Sequence, residues 1–170
     1  MKKAAPDPLQ DIKWPGYQST YGGRLEAVSW LLWDIERYRG GGYITEPPQS
    51  YTLSFFQSVK RRQRESNMDY PAMIPAPNAF LVEEIRIKGV TRKMGAGGVV
   101  ELIIGNKICT VLPLDDFTRH RHFIHLSRPL MIASLVRFEV RLIWDQLRFA
   151  GMTQPKIEVQ LSGSMVRPIQ

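Results

Sequence analysis

From Phe80 to Ile169, short apolar and alternating stretches read as one β-strand after another. In 135–144 (LVRFEVRLIW), Val136, Phe138, Val140 and Leu142 alternate with Arg137, Glu139 and Arg141. One face of that strand is therefore core, and the other meets water or a partner. In 79–88 the alternation slips one register at Glu83-Glu84, as a β-bulge produces. Further strands are predicted at 51–59, 99–104, 107–112, 122–126, 156–161 and 164–169, each bounded by Gly, Pro, Asn or Asp turn signals. Gly105-Asn106, between two apolar runs, predicts a short hairpin turn of the primed kind. Eight short strands without interleaved helices predict a mainly β fold, a sandwich or barrel, and the count favours an eight-stranded jelly-roll sandwich. Strand connectivity is not readable from one sequence, so an immunoglobulin-like sandwich stays open.

Residues 24–39 follow a different period. Leu25, Val28, Leu31, Leu32, Ile35 and Tyr38 share one face at about 100° per residue, between Gly22-Gly23 and Gly40-Gly41-Gly42, which predicts one amphipathic helix. Trp30 and Trp33 fall on the other side of such a helix, beside Glu26 and Arg37, covered by a loop or marking a subunit or membrane interface. Residues 1–23 mix Pro, Gly and polar residues with isolated Trp14, Tyr17 and Tyr21 and show neither period, so they read as an extended N-terminal arm. The predicted organisation is arm (1–23), helix (24–39) and a single sandwich (40–170). The subunit-interface candidates are Trp14, Tyr17, Tyr21, Trp30 and Trp33. A long loop, KRRQRESNMDYPAMIPAP, follows the first strand, because Pro71, Pro75 and Pro77 exclude regular structure.

At 170 residues and 44% hydrophobic, the chain is long enough to bury one core and lies far from the composition of a disordered protein. The formal net charge of +7 favours an acidic partner, but it is spread along the chain, with +3 in residues 1–65 and +4 in 66–170. The one dense cluster is Lys60, Arg61, Arg62 and Arg64. These residues are the candidates for contact with nucleic acid or an anionic surface; the bland alternative is a solvated loop edge that keeps the neighbouring strand from pairing further. The lysines at the N-terminus have no apolar stretch behind them, and no apolar run approaches the roughly 18 residues of a spanning helix, so neither export nor a membrane span is expected. Cys109 is the sole cysteine and sits in an apolar run, which reads as a small buried side chain in a chain that needs no oxidising compartment.

The search for catalytic chemistry yields little. His120, His122 and His125 are the only histidines, and a strand puts the first two on one face. That pair resembles half of the cupin metal motif, yet Leu126 and Ser127 stand where its glutamate belongs, no histidine follows His125, and Arg119 and Arg121 repel a cation. The glycines in KMGAGGVV lead into a strand rather than a helix, which fits a flexible connection and not a phosphate cradle. Asp115-Asp116 after Pro113 suits a turn or a helix start. No nucleophile elbow is present. The expectation is a protein without enzymatic activity, cofactor, metal or small-molecule substrate.

Three segments carry a family resemblance. Ser66, Asn67 and Met68, then Ile74, Pro75 and Pro77, then Phe80, Leu81, Val82 and Ile85 follow a turn, loop and strand pattern. Gly105, Lys107, Pro113, Leu114 and Phe117 follow a hairpin pattern, and the stretch from Arg128 to Ile132 followed by RFEVRL follows a strand pair. Together, over roughly residues 51–145, these motifs resemble the single jelly-roll capsid proteins of tailless icosahedral bacterial viruses. The resemblance implies a structural virion protein, located in the capsid after a stage in the host cytoplasm, that self-assembles into capsomers. Its partners would be other copies, other capsid proteins, and packaged nucleic acid or an internal viral membrane. The dense KRRQR run departs from the milder loop of that pattern. A nucleic-acid-binding β-barrel is the alternative reading, and a cupin-type metalloenzyme a third.

Overall fold

The computed structural model describes residues 25–37, 50–56, 64–68, 72–118, 122–145 and 156–169. Among the described residues, nine strands form two antiparallel sheets: β1 (Leu25–Arg37), β2 (Ser50–Phe55), β3 (Arg64–Ser66), β4 (Ala79–Lys88), β5 (Val99–Ile104), β6 (Lys107–Pro113), β7 (Phe123–Ile132), β8 (Phe138–Asp145) and β9 (Lys156–Pro168). The five-stranded sheet has the order β3-β1-β9-β4-β7, and the four-stranded sheet the order β2-β8-β5-β6. Four of the pairings are nested: β1 with β9, β2 with β8, β4 with β7, and β5 with β6, each antiparallel. Two further ladders, β4 with β9 and β5 with β8, join these pairs within each sheet.

Alternation places the core between the sheets. On β8, Phe138, Val140, Leu142 and Trp144 are buried, while Arg141 turns outward to bridge Glu139 (2.6 Å) and Glu101 (3.5 Å). On β4, Phe80 and Val82 point inward before a register shift between Val82 and Glu84, and Ile85 and Ile87 point inward after it. The extra residue restores the apolar face that a period of two alone loses, which fulfils the expectation at Glu83-Glu84. Across the core stand Leu53, Phe55, Val100 and Leu102, with Leu114 and Phe117 of a 3-10 turn packed at the side. Each such buried side chain contributes about 1.5–3 kcal/mol of hydrophobic stabilisation. Asp115 and Asp116 lie in the first turn of that 3-10 segment, as their position after Pro113 predicts.

Of the amphipathic helix that periodicity predicts over 24–39, the described residues 25–37 form a strand instead. Leu25–Arg37 is a strand paired residue by residue with β9, from Leu25 opposite Pro168 to Arg37 opposite Lys156. Val28, Trp30, Trp33 and Ile35 are β-branched or aromatic and favour a strand, and a thirteen-residue ladder outweighs the weak local preference of a helical spacing. The segment is thus an inner strand of the five-stranded sheet rather than an appendage to it. Among the described residues the only α-helix is the single turn Arg92–Gly95, and none is long and apolar enough to cross a membrane.

Two smaller corrections follow from the same ladders. The segments 156–161 and 164–169 are one continuous strand, because Gly163 lies opposite Val82 at the bulge instead of turning the chain. Cys109 is half-buried, not core, because β6 is an edge strand in which a register shift between Leu102 and Ile103 leaves Cys109 as the extra residue. The arm 1–23 lies outside the described residues. The Gly105-Asn106 hairpin forms, with Ile104 opposite Lys107 and only Gly105 left-handed (φ 64°), the pattern of a type II′ turn.

Candidate functional site

The N-terminal part of β1 and the C-terminal part of β9, with residues 67–68 and 73–78, line an open groove of about 940 Å³ at one end of the sandwich. Its floor and walls come from Trp30, Met68, Met73, Pro75, Met165 and Ile169, among others. Trp30 shares a face with buried Leu32 but stands 50% exposed at this open end. Trp33, three residues further along a strand, falls on the opposite face of the sheet and is half-buried. The two tryptophans therefore do not form one patch, contrary to the helical reading.

The turn after β3 is tied to the edge of β1 by its side chains. Asn67 Oδ1 accepts from the Trp33 N–H (2.9 Å), and Asn67 Nδ2 donates to the Leu31 carbonyl (2.8 Å), so one amide extends the ladder beyond β3. Ser66 Oγ donates to the Trp33 carbonyl (3.2 Å) and accepts from the Met68 N–H (3.1 Å), which delivers Met68 to the groove. The segment 73–78 closes the other wall. Ile74 is fully buried, its carbonyl accepts from the Leu135 N–H (2.8 Å), and Pro75 and Pro77, the latter after a cis peptide bond, face the groove. Ser66-Asn67-Met68 and Ile74-Pro75-Pro77, two of the motifs noted in the sequence, thus converge on one feature. Arg167 Nε and Glu26 Oε1 form an ion pair beside them.

Three thioethers, three prolines and a half-exposed indole make this lining mainly apolar and adaptable. A second feature lies on the outer face of the five-stranded sheet. Glu84, nearly buried, accepts from Arg86 Nη2 (2.7 Å) and lies 3.4 Å from His125 Nδ1. Phe123 packs beneath the Arg86 guanidinium (5.2 Å) and edge-on to His125 (5.3 Å between ring centroids). His122 is exposed just before β7, and among the described residues no three His, Cys, Asp or Glu side chains cluster as metal ligands do.

Of the residues singled out from sequence, Trp14, Tyr17, Tyr21, Lys60, Arg61, Arg62 and His120 lie outside the described residues. Arg64 opens β3, where its backbone pairs with Glu36. Sequence reading missed Asp34, which is fully buried and whose Oδ2 accepts the Phe56 N–H, linking β1 to the end of β2. Only the alternation of β1, had it been read as a strand, pointed to an inward carboxylate at that position. No family model matches the chain, and no curated protein is similar to it.

Proposed function

We propose that this protein is a jelly-roll subunit of an icosahedral virion shell, assembling with copies of itself and with other capsid proteins into capsomers. The observation that carries the reading is the nesting of the strands. Without β3, the orders β1-β9-β4-β7 and β2-β8-β5-β6 describe one long antiparallel hairpin of eight strands, rolled so that successive pairs alternate between sheets. Such a nesting supports the jelly-roll arrangement used by viral capsid, lectin and cupin domains. An immunoglobulin-like sandwich groups its strands differently.

A fold by itself names no function, so the choice among these uses rests on the surface. Part of the capsid-like pattern, Asn67, Met68, Ile74, Pro75 and Pro77, lines the groove, whose surface suits protein contact. The net charge of +7 suits a shell whose inner side meets nucleic acid or an anionic membrane. The cupin alternative requires converging histidines, whereas His122 and His125 sit at the surface, His125 against Glu84. The protein's locations are then the host cytoplasm before assembly and the virion after it.

Sedimentation velocity of the purified chain, across a hundredfold range of concentration, tests the proposal. Discrete capsomer-sized species support it. A monomer throughout contradicts it, and a monomer that binds single strands with steep salt dependence favours the nucleic-acid reading.

A further inference from the structure

The two sheets have four outer edges among the described strands, formed by β3, β7, β2 and β6. Natural edges are blunted by shortness, charge, proline or a bulge. β3 has three residues, two of them Arg64 and Glu65, and β7 carries His125, Arg128 and Pro129. β2 leads in sequence toward Lys60, Arg61 and Arg62. β6 has a lysine and a proline only at its two ends and a bulge at Cys109, while Ile108, Cys109, Thr110, Val111 and Leu112 between those ends are uncharged and mostly strand-forming. The bulge at Cys109 also has a consequence for this edge. It puts Ile108 opposite Ile103 and Val111 opposite Glu101, so both residues face outward although they are three apart. They are 49% and 53% exposed, beside buried Ile103 on the same face.

We propose that this edge is a two-fold interface, at which β6 of one copy pairs antiparallel with β6 of a second copy about an axis between Cys109 and Thr110. The charges at its ends select this partner and this direction. Lys107 begins the strand, and Asp115-Asp116 follow immediately after it in the 3-10 turn, with Lys107 and Asp116 exposed. Antiparallel pairing in this register sets Ile108 against Val111 of the other copy, on one face, twice by symmetry. It also brings Lys107 of each copy to the acidic end of the other, whereas parallel pairing stacks lysine on lysine. The two four-stranded sheets become one sheet of eight strands. The contact rests on the edge alone and adds to the shell reading a specific two-fold join.

Sedimentation equilibrium of the full chain and its variants tests this, together with a nitroxide on Cys109, the only cysteine in the sequence. The wild type is expected to dimerise, with nitroxides close enough for dipolar broadening, within about 20 Å, since paired strands lie about 4.8 Å apart. Val111→Lys weakens the dimer about tenfold or more, by setting a charge on the buried face. Lys107→Asp and Asp116→Lys each weaken it by up to about tenfold, and the double variant restores it, because each pair occurs twice. A monomeric wild type, distant nitroxides in an oligomer, or a double variant no better than the singles overturns the proposal. Larger assemblies with distant nitroxides leave the shell reading standing while removing this interface. Dimers with close nitroxides that grow no further support the interface and count against the shell.

Discussion

Replacing Gly163 with alanine tests the register on which the fold depends. Gly163 faces Val82 of β4 at the point where that strand bulges, and the bulged backbone fills the space a side chain needs. An added Cβ falls within the van der Waals surface of the Leu81 carbonyl oxygen, 2.9 Å from its carbon and 3.1 Å from Glu83 N. Backbone atoms cannot swing aside as a side-chain tip can. An ordinary carbon–oxygen approach is about 3.3 Å or more, so the strands must separate by about 1.5 Å, which takes ladder bonds of about 2.9 Å past the limit for a hydrogen bond. Losing two or three net backbone bonds costs about 1 kcal/mol each, and the overpacking adds about 1–3 kcal/mol. The lower entropy of unfolded alanine returns about 0.4–1 kcal/mol. The expected loss is about 3–5 kcal/mol, which at a urea slope of about 2 kcal/mol/M lowers the midpoint by about 2 M. Failure to fold is the same outcome at its limit. Ser162→Ala, one residue away, is the control and should stay within about 0.5 kcal/mol of wild type. A Gly163→Ala midpoint within about 0.5 M of wild type at unchanged slope refutes the pairing of β9 with the bulge, and the strand order with it.

Three further perturbations probe other parts of the account. Asp34→Ala removes the acceptor of the buried Phe56 N–H at a residue held left-handed (φ 59°), and urea unfolding should show a loss of about 2–3 kcal/mol; an unchanged midpoint contradicts the link between β1 and β2. Leu135 is left-handed (φ 59°) and 63% exposed, so Leu135→Gly relieves strain at little packing cost and should raise thermal stability by up to about 1 kcal/mol, while a clear loss is the opposing result. Trp30→Ala truncates a half-exposed groove residue, and should lower the mass of assemblies seen by light scattering while the melting temperature falls by only a few degrees; assembly equal to wild type removes Trp30 from the interface.

Strands whose pattern follows their burial were legible from sequence. β4, β5 and β8 fall where alternation puts them, and the doubled glutamate locates the bulge, because the inward face of each strand is apolar and packs into the core throughout. β1 was not legible. Its apolar residues occupy both faces, since Leu32 packs in the core while Trp33 lies on the outer side, and two-sided burial mimics a helical spacing over thirteen residues. Gly163 was misread because Ser-Gly usually marks a turn, and only the β4 ladder reveals a glycine required by close backbone approach. The groove lay further still from the sequence. Its lining comes from four separated stretches, and Asn67 gains its role only when β1 is a strand whose edge it can complete.

The central proposal is that this two-sheet sandwich builds a shell by contact with its own copies. Electron microscopy of the purified chain at concentrations above those of the sedimentation series is the most direct test. Uniform rings or closed particles, with density for each subunit matching the two sheets, are the expected result. Isolated single subunits at every concentration contradict the claim.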